Sequence, residues 1–415
     1  MSGVHQPRRS GLIALLVMLA FTTILSQFFR ASLAVIAPEL FQDLGLNART
    51  LGLANGCFFA SLMVAQVAVG YAFDRIGPRI TVTVLSVFMT AGAALHAMAA
   101  TGDFLVLARV VSGLGCAGSF MASIVLISRW FTRENWSLAA SGINATSQIG
   151  ILLAGTPLAL TATTYGWRTA FAVLAILSAL CGLLFYAFVR DRPSSSVVDT
   201  LDPEAPSLGV IAGLRAVVET PGALRAFALF AVAYASTVTF TGLWAGPYLR
   251  DVYGLDTVAR GHVLTAIALA QTVATLAYGP LDRLFNSRKR VVIAGASLTL
   301  AMLVTLAVMP APPLWLGLVL LITMSAVASY GTILLVHVRS HFPDHLAGRG
   351  ATSGNMAQLV GTALLPYVTG LILDRFPLNG LAYPPEAYAA IFATLAVSLA
   401  AGLGVYLTAR DIKPR

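Results

Sequence analysis

Long apolar runs, each broken by a few polar residues, recur along the whole chain. Twelve of them approach or exceed about 20 residues, the length a helix needs to cross the hydrocarbon core of a bilayer. They cover roughly 11–37, 50–73, 79–100, 104–128, 137–162, 167–189, 222–247, 259–281, 289–309, 313–337, 349–373 and 386–409. None alternates apolar and polar positions with period two, so strands are not expected. The pattern predicts an all-α membrane protein with twelve transmembrane helices. Arg8-Arg9 before the first run resemble the start of a cleaved leader. The run continues through Ile36 with no small-residue cleavage site and polar stretch behind it, so a first spanning helix is expected.

The runs also repeat. Residues 70–79 read Gly-Tyr-Ala-Phe-Asp-Arg-Ile-Gly-Pro-Arg, and 279–290 carry Gly-Pro-Leu-Asp-Arg followed by a basic cluster. Asp74-Arg75 and Asp282-Arg283 are 208 positions apart. Pro38-x-Leu40 followed by Gly45-Leu46 returns 209 positions later as Pro247-x-Leu249 followed by Gly254-Leu255. Phe131, Asn144 and Gly150 return as Phe342, Asn355 and Gly361, each at 211. Three regions sharing nearly one offset imply a duplication: two pseudo-symmetric six-helix bundles with a cavity between them. The expected boundaries are a first bundle at 1–190, a linker at 191–221 and a second bundle at 222–415. Residues 191–208 are polar and rich in Pro and Ser, as a linker should be. Residues 208–218 read as a short amphipathic helix on the membrane surface.

Composition narrows the class. The chain is 58% hydrophobic and 10% charged, where soluble domains carry about 25% charge. Its net charge of +9 is scattered through short loops rather than gathered on one face, which argues against nucleic acid. Nineteen basic residues fall in loops on one side and five on the other, so both termini are expected in the cytoplasm. Lysine occurs only at Lys289 and Lys413. Such arginine preference fits a GC-rich bacterial genome, hence a bacterial inner membrane. Cys57, Cys116 and Cys181 all lie in apolar runs and make no disulfide framework. No metal spacing, phosphate loop or nucleophile–base pair occurs, so neither an enzyme nor a cofactor is expected. The expected partners are the lipid bilayer and a small-molecule substrate, with the protein a monomer.

At this level the chain resembles the major facilitator superfamily over essentially its whole length. That family's turn after the second helix reads Gly-x-x-x-Asp-Arg-x-Gly-x-Arg, matched by Gly70, Asp74, Arg75, Gly77 and Arg79, with Pro78 where a basic residue is usual. Its fourth helix carries Arg-x-x-x-Gly-x-Gly, matched by Arg109, Gly113 and Gly115. The resemblance implies the major facilitator fold and transport by alternating access. It also implies that Asp74 engages the chain near Gly350 as a conformational latch, with Asp282 and Arg283 its counterparts in the second half. An acidic group attracted to a helix start, with arginines facing helix ends, is physically suited to such a latch.

Two arginines stand out within the apolar runs. Arg30 lies about 12 Å below Pro38 at 1.5 Å per residue, and Arg109 falls in the fourth run. A charge at the bilayer centre costs roughly 3 kcal/mol, and no Asp or Glu shares their depth. A guanidinium so placed favours an anion. The segment from Phe29 to Pro38 is similar to the first helix of the anion:cation symporter branch, where an Arg binds an organic anion. It departs from that branch in having Phe29 before the Arg and Cys116 seven residues after Arg109, both places where acids are usual. The expected substrate is a small organic anion, a carboxylate or amino acid, and protons are a candidate coupling ion through His337 or His262.

Neutral polar positions extend the candidate site: Gln27, Asn144, Gln148, Tyr234, Tyr330, Asn355 and Gln358. Asn144 and Gln148, at i and i+4, share one helix face. Trp244 reads as a cavity wall or an interface anchor, and its position favours the anchor. The alternative function is a proton-coupled drug exporter. Gly150 and Gly155-Thr-Pro157 partly echo an exporter motif, but the following Gly pair and an embedded carboxylate are missing.

Overall fold

A computed structural model of the chain describes residues 9–192, 220, 222–342, 347–380 and 382–412. The surface helix expected at 208–218, and nearly all of the expected linker, lie outside the described residues. The chain divides into two compact units, Met1–Leu46 with Cys57–Leu201, and Asn47–Gly56 with Asp202–Arg415.

In the first stretch α1 (Arg9–Leu44) runs past the expected end because Pro38 stays inside the helix. It is followed by α2 (Ala48–Arg75), α3 (Pro78–Ala97), α4 (Gly102–Cys116), α5 (Ser119–Trp130), α6 (Arg133–Leu153), α7 (Thr156–Tyr165) and α8 (Trp167–Phe188). Gly77 turns the chain into α3 with φ 96°, a conformation that favours glycine, and Pro78 opens the helix where a missing N–H costs nothing. Thr101 caps α4 by accepting the Phe104 N–H at 3.3 Å. The fourth apolar run is two helices, broken at Ala117-Gly118, and the fifth is broken just ahead of Pro157.

The second stretch holds α9 (Ala223–Thr239), a π-helical segment (Phe240–Trp244), α10 (Ala245–Tyr253), α11 (Thr257–Tyr278), α12 (Leu281–Leu284) and α13 (Arg288–Val308). Then come α14 (Leu314–Val327), a 3-10 turn (Ala328–Tyr330), α15 (Gly331–Ser340), α16 (Ala347–Leu373) and α17 (Pro385–Leu407). Among the described residues these segments make twelve spans long and apolar enough to cross a membrane, and no strand. Leu138 and Val308 are 76% and 81% exposed. Apolar side chains so exposed on spanning helices are what a lipid solvent accepts and water does not.

Each unit repeats one packing scheme. In the first, α1 lies along α6 and α3 along α8; in the second, α9 lies along α16 and α13 along α17. The repeated glycines explain the first pairing. A Cβ on Gly150 of α6 would strike the Ile24 carbonyl of α1, and a Cβ on Gly361 of α16 would strike the Ala231 carbonyl of α9. Only glycine lets these backbones approach.

Trp244 is not an interface anchor. It is fully buried, and its indole N–H donates to the Thr369 hydroxyl at 2.8 Å. Its polar tip satisfies a partner inside the second unit instead of reaching the membrane surface.

Candidate functional site

In the first unit α1, α4 and α6 bring the strongest candidates together. Arg109 is fully buried. Its Nη1 donates to the Phe29 carbonyl at 2.7 Å, and its guanidinium lies 4.1 Å from the centre of the Phe58 ring. The Ser32 hydroxyl also donates to the Phe29 carbonyl, at 3.2 Å. Arg109 therefore neither reaches outward nor lines an open surface. It fixes the α1 backbone at the residue before Arg30.

Arg30 is half-buried, and its Nε is enclosed without an acceptor among the described residues. The Cys116 thiol lies within electrostatic reach of Arg30 and Arg109 and within hydrogen-bonding reach of Ser26. A thiol thus stands near the two guanidiniums. One turn along α1, the Gln27 amide donates to the Gln148 carbonyl at 3.4 Å, joining α1 to α6. Gly150 makes this possible by letting the two helices touch. Asn144, one turn further along α6, is exposed, and its backbone carbonyl accepts from Ser147 at 2.7 Å.

A cavity of about 620 Å³ opens between the same helices, lined by Leu16, Val17 and Ala20 of α1 and by Leu138, Gly142, Ile143 and Thr146 of α6. None of the polar candidates lines it. The cavity and the Arg30 neighbourhood are thus separate places in the first unit.

The second unit places its candidates differently. Tyr234 of α9 and Asn355 and Gln358 of α16 are half-buried, and the Gln358 carbonyl accepts from Thr362 at 2.6 Å. Tyr330 is fully buried, with its ring where a side chain on Gly295 of α13 would go. It fills the space between packed helices. His337 is held at both nitrogens: Nε2 donates to the Arg410 carbonyl at 3.0 Å, which leaves Nδ1 to accept from the Tyr406 hydroxyl at 2.6 Å. His262 is exposed at the start of α11.

The two charged turns share an anchoring device that the sequence reading missed. Asp74 and Arg75 are exposed, and Arg75 lies over the Tyr71 ring at 5.5 Å. Arg79 is tied down: its N–H donates to Asp191 at 2.8 Å, its Nε donates to the Tyr186 carbonyl at 2.9 Å, and it stacks on the Tyr186 ring at 4.4 Å. In the second unit Asp411 accepts from the Ser287 hydroxyl at 2.5 Å and the Lys289 N–H at 3.2 Å. Asp282 there is nearly buried and pairs with Arg288 at 3.2 Å, while Arg283 is exposed. Asp191 and Asp411 each cap a helix start, where a carboxylate is favoured by unpaired N–H groups. The signal was available as the repeated pairs Arg190-Asp191 and Arg410-Asp411.

Twelve apolar spans and a duplicated packing scheme, with an arginine Nε that meets no acceptor among the described residues, are the features of a membrane carrier. The family model described as Major Facilitator Superfamily matches residues 19–366, and the chain belongs to that superfamily. It is similar to a hexuronate transporter of Bacillus subtilis (strain 168), 25% identical over 407 residues and covering 93% of each chain. It is also similar to a probable L-galactonate transporter of Escherichia coli (strain K12), 24% identical over 378 residues, with 86% of this chain and 82% of that one covered. Its fold is shared with a bacterial homologue of the human lysosomal transporter Spinster in an inward-facing, occupied conformation. The TM-score is 0.73 at 15% identity, over 96% of this chain and 95% of that one. The protein is thus a multi-pass membrane transporter.

Proposed function

We propose that this transporter is a secondary carrier for a small organic anion of the sugar-acid type, working by alternating access. Arg30 supplies the counter-charge. Gln27, Gln148 and Asn144 offer neutral hydrogen bonds to the rest of the substrate, and Arg109 positions Arg30 through the Phe29 carbonyl. Tyr234, Asn355 and Gln358 of the second unit are further substrate-binding candidates; Tyr330 is assigned to packing. We place the protein in a bacterial inner membrane with both termini in the cytoplasm, on the basic-residue bias alone.

The observation that carries the reading is the enclosed Arg30 Nε without an acceptor. A guanidinium in a spanning helix is costly unless a negative group meets it. The relatives named for hexuronate and galactonate support a carboxylate as that group. The test is thermal stabilisation of the purified protein by hexuronates, galactonate, other carboxylates and cationic drugs, for wild type and Arg30→Ala. Sugar acids are expected to stabilise wild type and not the variant. Stabilisation by cationic drugs alone, unchanged in Arg30→Ala, overturns the substrate class.

A further inference from the structure

The second unit encloses a group of hydroxyls without hydrogen-bond partners among the described residues. Three of them, Ser236, Thr237 and Thr239, fall within one turn of α9. All three are at most 3% exposed. A Ser or Thr hydroxyl in a helix usually returns its proton to a carbonyl three or four residues earlier. Thr241, Thr299 and Thr369 do so in this unit. Three exceptions within one turn require an explanation, because a buried polar group without a partner is costly.

The backbone is irregular at the same place. The Phe240 N–H donates to the Thr237 carbonyl and not to that of Ser236, the partner a regular α-helix supplies. The next five residues, Phe240–Trp244, are π-helical, and the Ala245 N–H reaches back to the Phe240 carbonyl. Such a bulge displaces carbonyls from their ladder, and it recurs at functional sites. The depth is informative too. Ser236 lies about 20 Å from Ala223, and Thr239 about 21 Å from Tyr253, at 1.5 Å per residue. The turn is therefore near the middle of its span. Ser236 and Thr239, at i and i+3, share one face.

The chemistry of this oxygen set selects its ligand. Hydroxyls with a displaced carbonyl offer neutral hard donors and no carboxylate. A divalent cation would lack the charge it needs. An anion would be repelled by the carbonyl. Hydroxyls do not titrate near neutral pH, so a proton has nowhere to reside. A monovalent hard cation remains, and broken membrane helices hold sodium in this way, with unwound carbonyls. We propose that Ser236, Thr239 and the displaced backbone turn between Ser236 and Phe240 form a sodium site. This reading makes sodium the coupling ion, and it does not depend on the identity of the anion.

The test uses the full-length protein in detergent, with sodium chloride, potassium chloride or choline chloride at equal ionic strength. Sodium is expected to raise the unfolding midpoint saturably, by about 2–4 °C, and potassium and choline are not. The shift should vanish in Ser236→Ala and Thr239→Val and persist in Thr239→Ser, which keeps the hydroxyl. Equal midpoints in the three salts overturn the proposal, as does a sodium shift of full size in both hydroxyl-free variants. Should those variants fail to fold, the salt comparison on wild type and Thr239→Ser still decides. Anion stabilisation through Arg30 is read separately in choline chloride, so either idea can fail alone.

Discussion

The guanidinium of Arg109 donates to the carbonyl oxygen of Phe29 at 2.7 Å, so one arginine holds the backbone from which the next residue, Arg30, projects. Both arginines looked like substrate ligands in the sequence. Their geometry separates them: Arg109 is buried on the α1 backbone, and Arg30 is the one the proposed function assigns to the anion. Arg109→Lys keeps the charge and loses the planar fork. Anion affinity is expected to fall about tenfold, a change of about 1.4 kcal/mol, in protein that still folds. Titrating both proteins with a sugar acid measures this. Unaltered affinity would remove Arg109 from the positioning role.

Gly150→Val places a side chain against the Ile24 carbonyl. The helices must separate, at a cost of about 1–3 kcal/mol for overpacking, and the Gln27–Gln148 hydrogen bond is lost with them. Unfolding in detergent should begin at lower temperature, and anion binding should weaken in the same variant. Full stability in Gly150→Val would mean that α1 and α6 do not need this contact.

Two aspartates near one turn should behave oppositely. Asp191 accepts the Arg79 N–H at the start of α3, so Asp191→Ala removes a helix cap and about 0.5–2 kcal/mol of stability. Asp74 is exposed, so Asp74→Asn should leave stability and insertion unaltered while transport collapses, if the turn latches the carrier. Paired measurements of uptake and unfolding midpoint test both. Normal uptake by Asp74→Asn would end the latch idea.

The fold was legible because lipid imposes length and apolarity on every span, and both are written in the chain. What escaped was local. The break at Ala117-Gly118 leaves no trace in a pattern of apolar residues, since a broken span is as apolar as a straight one. The π-helical segment at Phe240–Trp244 changes hydrogen-bond register, and its Gly242 is one glycine among many in apolar runs. Position along a run says nothing of which neighbour meets the Trp244 indole, here Thr369. The charged turns were found, yet their anchors were not. Asp191 and Asp411 lie far away in the chain, and a cap of that kind is a tertiary contact. The role of His96 is likewise set by tertiary contacts: its Nδ1 donates to the Gly92 carbonyl at 2.8 Å and its ring stacks on Phe171.

The bond from Asp191 to the start of α3 constrains how this protein can be cut. Fragments meant to reassemble from separately expressed halves must leave Asp191 on the N-terminal piece, and by the same logic a C-terminal fusion must begin beyond Asp411. A fragment trimmed back to Phe188, the last helical residue, would carry all six of its spans and still lack the carboxylate that seats one of them.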